Sequence, residues 1–164
     1  MDNFKPQIIC DTKQKLYKHT LKHEQIKSLG YEIINCSLPC GDYQFFGKGN
    51  IVIDTKKDVI ELANNIFHDH ERFRNELILA QRNCIKLIIL IEEVLPVGGL
   101  SNWESPIYKS NTYKHLKGEQ KSKINPITLK KAMITMQKKY GVKFMFCDKK
   151  DTGKKIISIL TEDY

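Results

Sequence analysis

The chain has no long apolar run. Its longest unbroken aliphatic stretch, Leu87–Ile91, is five residues, against the roughly 20 a helix needs to cross a bilayer, so a membrane-spanning segment is excluded. Met1–Gln7 is polar and has no apolar signal core, which leaves nothing to direct export and points to a cytoplasmic protein. Cysteine is sparse and scattered. Five thiols, at positions 10, 36, 40, 84 and 147, form an odd set with three in apolar runs, which suits reduced core thiols better than a disulfide frame. Cys36 and Cys40 are spaced CxxxC without the second pair that a zinc site needs. No internal repeat or low-complexity stretch is present. With 41% hydrophobic and 28% charged residues, neither wholesale disorder nor a fibrous design fits, and 164 residues are enough for a single domain, 1–164, with a proper core.

What the chain has in excess is lysine. The net charge is +8, from 27 basic and 19 acidic residues. Residues 105–155 carry +11 of it, and the remainder of the chain carries −3. A polyanion is drawn to the first group, while acidic clusters elsewhere can hold divalent cations. A lysine-biased surface accounts for some of this excess, but its segregation favours contact with nucleic acid.

The residue pattern predicts an α/β domain with a mixed sheet flanked by helices. Strands are expected at 5–11, 31–38, 86–91 and 142–147, and helices at 20–29, 58–66, 71–83, 126–140 and 152–160. Ile127, Leu129, Ala132, Met133 and Met136 form the apolar set of the fourth helix. Asp58 and Glu61 make a D-x-x-E helix start. Residues 94–125, with Pro96, Gly98, Gly99, Pro106 and Gly118 and many lysines, read as a long basic loop.

The most informative segment is a hairpin. Asp42–Phe46 and Asn50–Asp54 are β-prone runs separated by Gly47, Lys48 and Gly49, a three-residue loop. Pairing Phe46 with Asn50 brings Asp42 opposite Asp54, with Cβ atoms about 4.5–5.5 Å apart. Tyr43, Phe45, Ile51 and Ile53 then share the apolar face, and the acids lie on the other, more polar one. Lys56 returns to the acids' face if the strand continues.

Two carboxylates so close repel each other unless a cation neutralises them. Hard oxygen ligands suit Mg²⁺ or Mn²⁺, with water and a substrate phosphate completing the shell. Asp42 and Asp54 are therefore expected as metal ligands, with bound water as nucleophile and Lys56 stabilising the anionic transition state. That chemistry is phosphodiester hydrolysis.

These residues carry a resemblance. Asp11-Thr12-Lys13-Gln14, Leu38-Pro39-Cys40-Gly41-Asp42-Tyr43 and Asp54-Thr55-Lys56-Lys57-Asp58-Val59-Ile60-Glu61 follow, in order and spacing, three blocks of the XPF-type structure-specific DNA nucleases. In that family they read Asp-x-Arg-Glu, Leu-x-Val-Gly-Asp and Glu-Arg-Lys-x-x-x-Asp. Arg72-Phe73 and the strand ending at Glu92 resemble the family's next segment. The chain departs from the pattern at Gln14, an acid in the family; at Thr55, an arginine; at Asp54, a glutamate; and at Glu61, which falls one residue late and suits capping of Asp58. The resemblance spans about Ile8 to Leu160. It implies the restriction-endonuclease-like fold of the PD-(D/E)xK superfamily and a metal-dependent endonuclease acting on branched or flapped DNA in repair or recombination, with Asp11 as an auxiliary acid. DNA is the implied partner, with Arg72, Lys109, Lys114, Lys117, Lys121 and Lys123 as candidate contacts, and a homodimer or partner protein follows by analogy. A non-catalytic DNA-binding or partner module of the same fold is the alternative.

Other residues read as ordinary. His19 and His23 are expected on a solvated helix face, His68 and His70 in a polar turn, and Gln81 either pointing toward the metal from its helix or on the polar surface. Trp103, Tyr108 and Tyr113 either stack on unpaired bases or anchor the basic loop.

Overall fold

The computed structural model describes residues 5–14, 19–106, 108–109, 121–122 and 124–162. Among them the chain runs β1 (Gln7–Cys10), α1 (Thr20–Ser28), β2 (Glu32–Asn35), β3 (Tyr43–Phe45), β4 (Ile51–Lys56), α2 (Val59–Phe67), α3 (His70–Arg82), β5 (Lys86–Ile91), β6 (Tyr108–Lys109), β7 (Lys121–Ser122), α4 (Pro126–Tyr140), β8 (Lys143–Phe146) and α5 (Thr152–Thr161). Six strands form one sheet in the order β2-β1-β3-β4-β5-β8. The β1–β3 and β3–β4 pairs are antiparallel, and β1–β2, β4–β5 and β5–β8 are parallel.

Local signals explain the boundaries. Asp58 caps α2 by accepting from Glu61 N at 2.7 Å, and Glu61 reaches back to accept from Lys57 N at 2.8 Å, so two otherwise unpaired helix-start donors are satisfied. Asn125 caps α4 with Pro126 in its first turn, and Gly141 ends that helix at φ 70°, a conformation open to glycine.

Alternation along the central strands divides the core into two layers. Val52, Leu87, Ile89 and Ile91 pack with Val59, Leu62, Phe73, Leu77, Leu129 and Met133 from α2, α3 and α4. Ile8, Tyr43, Ile53, Ile88 and Leu90 pack with Ile26 of α1 and Ile156, Ile159 and Leu160 of α5. The sheet is therefore covered on both faces, which is why β5 is apolar along nearly its whole length.

Three expectations need correction. The hairpin face that carries the acids is not a polar surface, because Val52 on that face is fully buried beneath α2 and α3. Ile127 is 56% exposed, since it stands beside the cap of α4 rather than over the sheet. Residues 94–106 are more ordered than a bare loop: Gly99–Asn102 forms a 3-10 turn, Leu100 and Trp103 are buried, and Trp103 Nε1 donates to Glu93 Oε1 at 2.6 Å. Trp103 thus anchors this segment. Lys109 and Lys121 pair across a short ladder formed by β6 and β7, whereas Lys114, Lys117, Lys123 and Tyr113 fall outside the described residues.

Candidate active site

Tyr43 pairs with Ile53 and Gln44 with Val52, the register that the hairpin pattern predicts. The ladder ends at the Tyr43–Ile53 pair: Asp42 N donates to Ile53 O at 2.7 Å, one residue out of register, so the expected direct pairing of Asp42 with Asp54 is not part of it, and Asp42 reaches the corner through its carboxylate, which accepts from Thr55 N. Gly41 makes the approach feasible. It sits at φ 69°, and a Cβ there would lie 2.5 Å from Val52 Cγ1 and 3.1 Å from Ile53 O, so any side chain would push the turn off the strand.

Both aspartates are buried. Asp42 Oδ2 accepts from Thr55 N at 2.8 Å and from Thr55 Oγ1 at 2.5 Å, and Oδ1 accepts from Gln14 Nε2. Lys56 Nζ lies 2.6 Å from Asp54 Oδ2, an ion pair whose alignment leaves that buried oxygen without a well-formed hydrogen bond. The Lys56 ammonium also stands 5.7 Å from the Phe73 ring centroid, a cation–π distance.

The titration behaviour follows from burial and crowding. Burial raises the Asp54 carboxyl, and the Asp42 and Glu76 charges raise it further, against the opposing pull of Lys56. Burial raises Asp42 too, more than its Thr55 hydrogen bonds lower it. For Lys56, burial works to lower the pKa, but Asp54, Glu76 and Asp42 outweigh it and hold the ammonium above its ordinary value.

These groups floor a cleft of about 1050 Å³. Its lining sorts by depth: Asp11, Asp42, Asp54, Glu61, Glu76 and Glu92 are all buried or half-buried, whereas Lys13, Lys57, Arg72 and Lys149 are exposed at the rim. Only Lys22 and Lys56, among the lysines and arginines lining the cleft, are buried. An acidic floor under a basic rim suits a cation below and phosphates above. Among the described residues, no three His, Cys, Asp or Glu side chains already form a metal cage.

The remaining candidates divide. Asp11 lines the cleft, but both its oxygens are engaged by backbone amides, Oδ1 by Leu38 N at 2.8 Å and Oδ2 by Lys13 N at 3.2 Å. Its own amide donates to Asp42 O at 2.8 Å, so it ties the loop before β3 to the end of β1. Arg72 does reach the cleft, donating to Asn65 Oδ1 at 3.0 Å. His19 and His23 are not a solvated pair: His19 is buried 2.5 Å from the Tyr43 hydroxyl, and His23 lies 3.2 Å from the same hydroxyl. Burial and the charges of Lys27 and Lys22 lower the His23 pKa. His68 and His70 are exposed, and Gln81 donates to Lys139 O, away from the cleft. Cys10 and Cys40 are free, buried thiols pushed up to about 11, principally by burial, and so remain protonated.

Three cleft residues escape a reading of the sequence. Glu76 accepts from Gly41 N at 3.2 Å, although its helix reads it as polar surface. Lys22 and Glu92 form a buried ion pair. The signal available for Glu92 is its place at the end of an apolar strand; Lys22 offers none beyond its helical phase with Ile26.

Comparison with known proteins agrees with this architecture. No curated protein sequence matches the chain. Similar solved structures include XPF from Aeropyrum pernix in complex with DNA, with a TM-score of 0.62, and XPF from the same organism, with a TM-score of 0.61. Each is 20% identical, and the match covers 94% of this chain and 63% of the other. The mixed sheet between helices is accordingly the restriction-endonuclease-like fold of those structures. The profile of the ERCC4 domain matches residues 11–159. With that match spanning most of its length, the chain belongs to the ERCC4 domain family.

Proposed function

We propose that this domain is a metal-dependent DNA endonuclease that hydrolyses phosphodiester bonds in branched, flapped or otherwise structured DNA. One observation carries the reading: two buried aspartates share the floor of one cleft, with Lys56 paired to one of them. Family membership supports it, and the Aeropyrum pernix relative in complex with DNA supports DNA as the ligand.

The donor set fits a hard divalent cation. Asp54 Oδ2 has no well-formed hydrogen bond, and Asp42 Oδ1 accepts from Gln14 alone among the hydrogen bonds described, which leaves acceptor capacity on both residues. The acids of the floor outnumber its two buried ammonium groups. Mg²⁺ takes one or two carboxylates and completes its shell with water and phosphate oxygens, so two aspartates suffice. Asp42 and Asp54 would hold Mg²⁺ or Mn²⁺, which when bound acidifies a water and neutralises phosphoryl charge.

The chain's own groups supply the rest. Lys56 stabilises the charge that develops on the phosphoryl oxygens, its ammonium held in place by Asp54 and Phe73. Lys13, Lys57, Arg72 and Lys149 bind flanking phosphates at the rim, and Lys109, Lys114, Lys117, Lys121 and Lys123 extend that track. Asp11 acts on the site by holding the turn that delivers Asp42. In the reaction a water oxygen bonds to phosphorus, one P–O ester bond breaks, and the departing oxygen takes up a proton. A second copy or a partner protein is proposed to add further grip on DNA.

The test is direct. Purified protein and Asp54→Ala are incubated with fork, flap, junction and linear DNA in Mg²⁺, Mn²⁺ or EDTA. The proposal expects metal-dependent cutting of a branched substrate by the parent and none by the variant. Retention of all four DNAs without cutting would favour the non-catalytic module instead. Equal cutting by Asp54→Ala would overturn the site assignment.

A further inference from the structure

Lys22 is the buried cation that the proposed chemistry leaves without a task. It stands in the middle of α1, where Lys22 and Ile26 are the buried residues, and a lysine is seldom buried unless it is paired. Its ammonium pairs with Glu92 Oε1 and lies 3.4 Å from Thr55 Oγ1.

An ammonium has only donors, and a threonine hydroxyl has a single hydrogen. With Lys22 donating to Oγ1, that hydrogen is directed at Asp42 Oδ2, 2.5 Å away, while Thr55 N gives the same oxygen a second hydrogen bond at 2.8 Å. Two hydrogen bonds fill the two lone pairs of Oδ2. The open acceptor position of Asp42 is therefore on Oδ1, which Gln14 contacts.

We propose that Glu92, Lys22 and Thr55 form a relay that fixes which oxygen Asp42 turns toward the cation, with Lys22 as a positioning residue. The inference rests on the metal-binding reading of Asp42. It also accounts for Thr55 at the place where the resembled motif carries arginine: the cation reaches this corner from α1 instead, and the hydroxyl passes its influence to the carboxylate.

The experiment measures Mn²⁺ binding to DNA-free protein by electron paramagnetic resonance titration, with a melting curve for each variant. Thr55→Val, and separately the double variant Lys22→Met with Glu92→Gln, should each weaken Mn²⁺ binding about tenfold, the effect typical of groups that orient a metal ligand. The double variant leaves net charge unchanged, so through-space electrostatics does not explain a loss. Combining all three substitutions should weaken binding no further than the worse of the two, because members of one relay are not additive. Thr55→Ser and Lys22→Arg should retain most of the affinity. If the double variant fails to fold, the contrast between Thr55→Val and Thr55→Ser decides alone. Parental affinity in Thr55→Val, beside loss in Asp42→Asn, would overturn the relay and leave the metal site standing. Absence of Mn²⁺ binding by the parent protein would overturn both.

Discussion

Replacing Asp54 by asparagine should stabilise the metal-free protein while abolishing cleavage. Asp54 is buried beside Asp42 and Glu76, and its carboxyl titrates well above the ordinary aspartate value because of burial and those neighbouring charges. A group whose folded pKa is raised contributes stability below its unfolded value, about 3.9 for aspartate, and loses it as pH rises through the folded value. Without a cation, the reluctance of folded Asp54 to ionise thus costs stability, relative to acid pH, as pH rises toward 8, on the order of a few kcal/mol. Asparagine removes the charge and keeps the shape, but it also removes the main counter-ion of Lys56, and losing one partner of a buried pair is itself costly. Asp42 and Glu76 remain to hold the ammonium, so we expect a net gain of about 1–2 kcal/mol at pH 8, or about 2–8 °C in Tm for a chain of this size. The gain should shrink as pH falls toward 5, and Mn²⁺ should raise the Tm of the parent protein without raising that of the variant. Thermal melts at several pH values, in EDTA and in Mn²⁺, measure this. A variant that melts below the parent in EDTA at pH 8 would show that the Asp54–Lys56 attraction outweighs the crowding of acids, and the cation-seeking floor would be refuted.

Lys56→Met should lower kcat by about 10²–10³ through lost transition-state stabilisation, with DNA retention in EDTA largely kept; single-turnover cleavage and filter binding separate the two. Gly41→Ala should cost about 1–3 kcal/mol and abolish cutting, because its Cβ would meet Val52 at 2.5 Å; a parent-like Tm would contradict the close approach. Gly153→Ala should destabilise by a similar amount, since a Cβ there would lie 2.6 Å from Lys22 O and from Gln25 Cβ and would prise α5 from α1; urea unfolding measures it. Arg72→Ala and Lys57→Ala should each weaken binding of a fork DNA severalfold at fixed salt, whereas Lys138→Ala, on α4 and outside the cleft lining, should leave it unchanged.

Much of the site's chemistry was legible because strand geometry is so constrained. Alternation and the Gly47-Lys48-Gly49 turn predicted the pairing of Tyr43 with Ile53, which places Asp42 and Asp54 at the same end of the hairpin, and the same period returned Lys56 to Asp54. The bounds of β5 and α4 were equally legible, one from a continuous apolar run and the other from Pro126 and Gly141. Burial of the acids was not, because an aspartate on a strand looks the same whether solvent or a helix lies over it. Lys22 and Glu76 come from helices that tertiary packing lays against the sheet, and a single helix pattern reads such residues as outward-facing. His19 and His23 were missed for the same reason: Tyr43, 24 and 20 residues further along, draws them inward.

The depth sorting of charge in the cleft separates two sensitivities. The Debye length is about 8 Å at physiological ionic strength, so ions in the buffer screen solvent-facing ammonium and guanidinium groups far more effectively than carboxylates shielded by protein. Raising potassium chloride should accordingly strip nucleic acid from the domain at concentrations that leave Mn²⁺ in place, and two distinct midpoints should appear where a uniformly charged surface would give one.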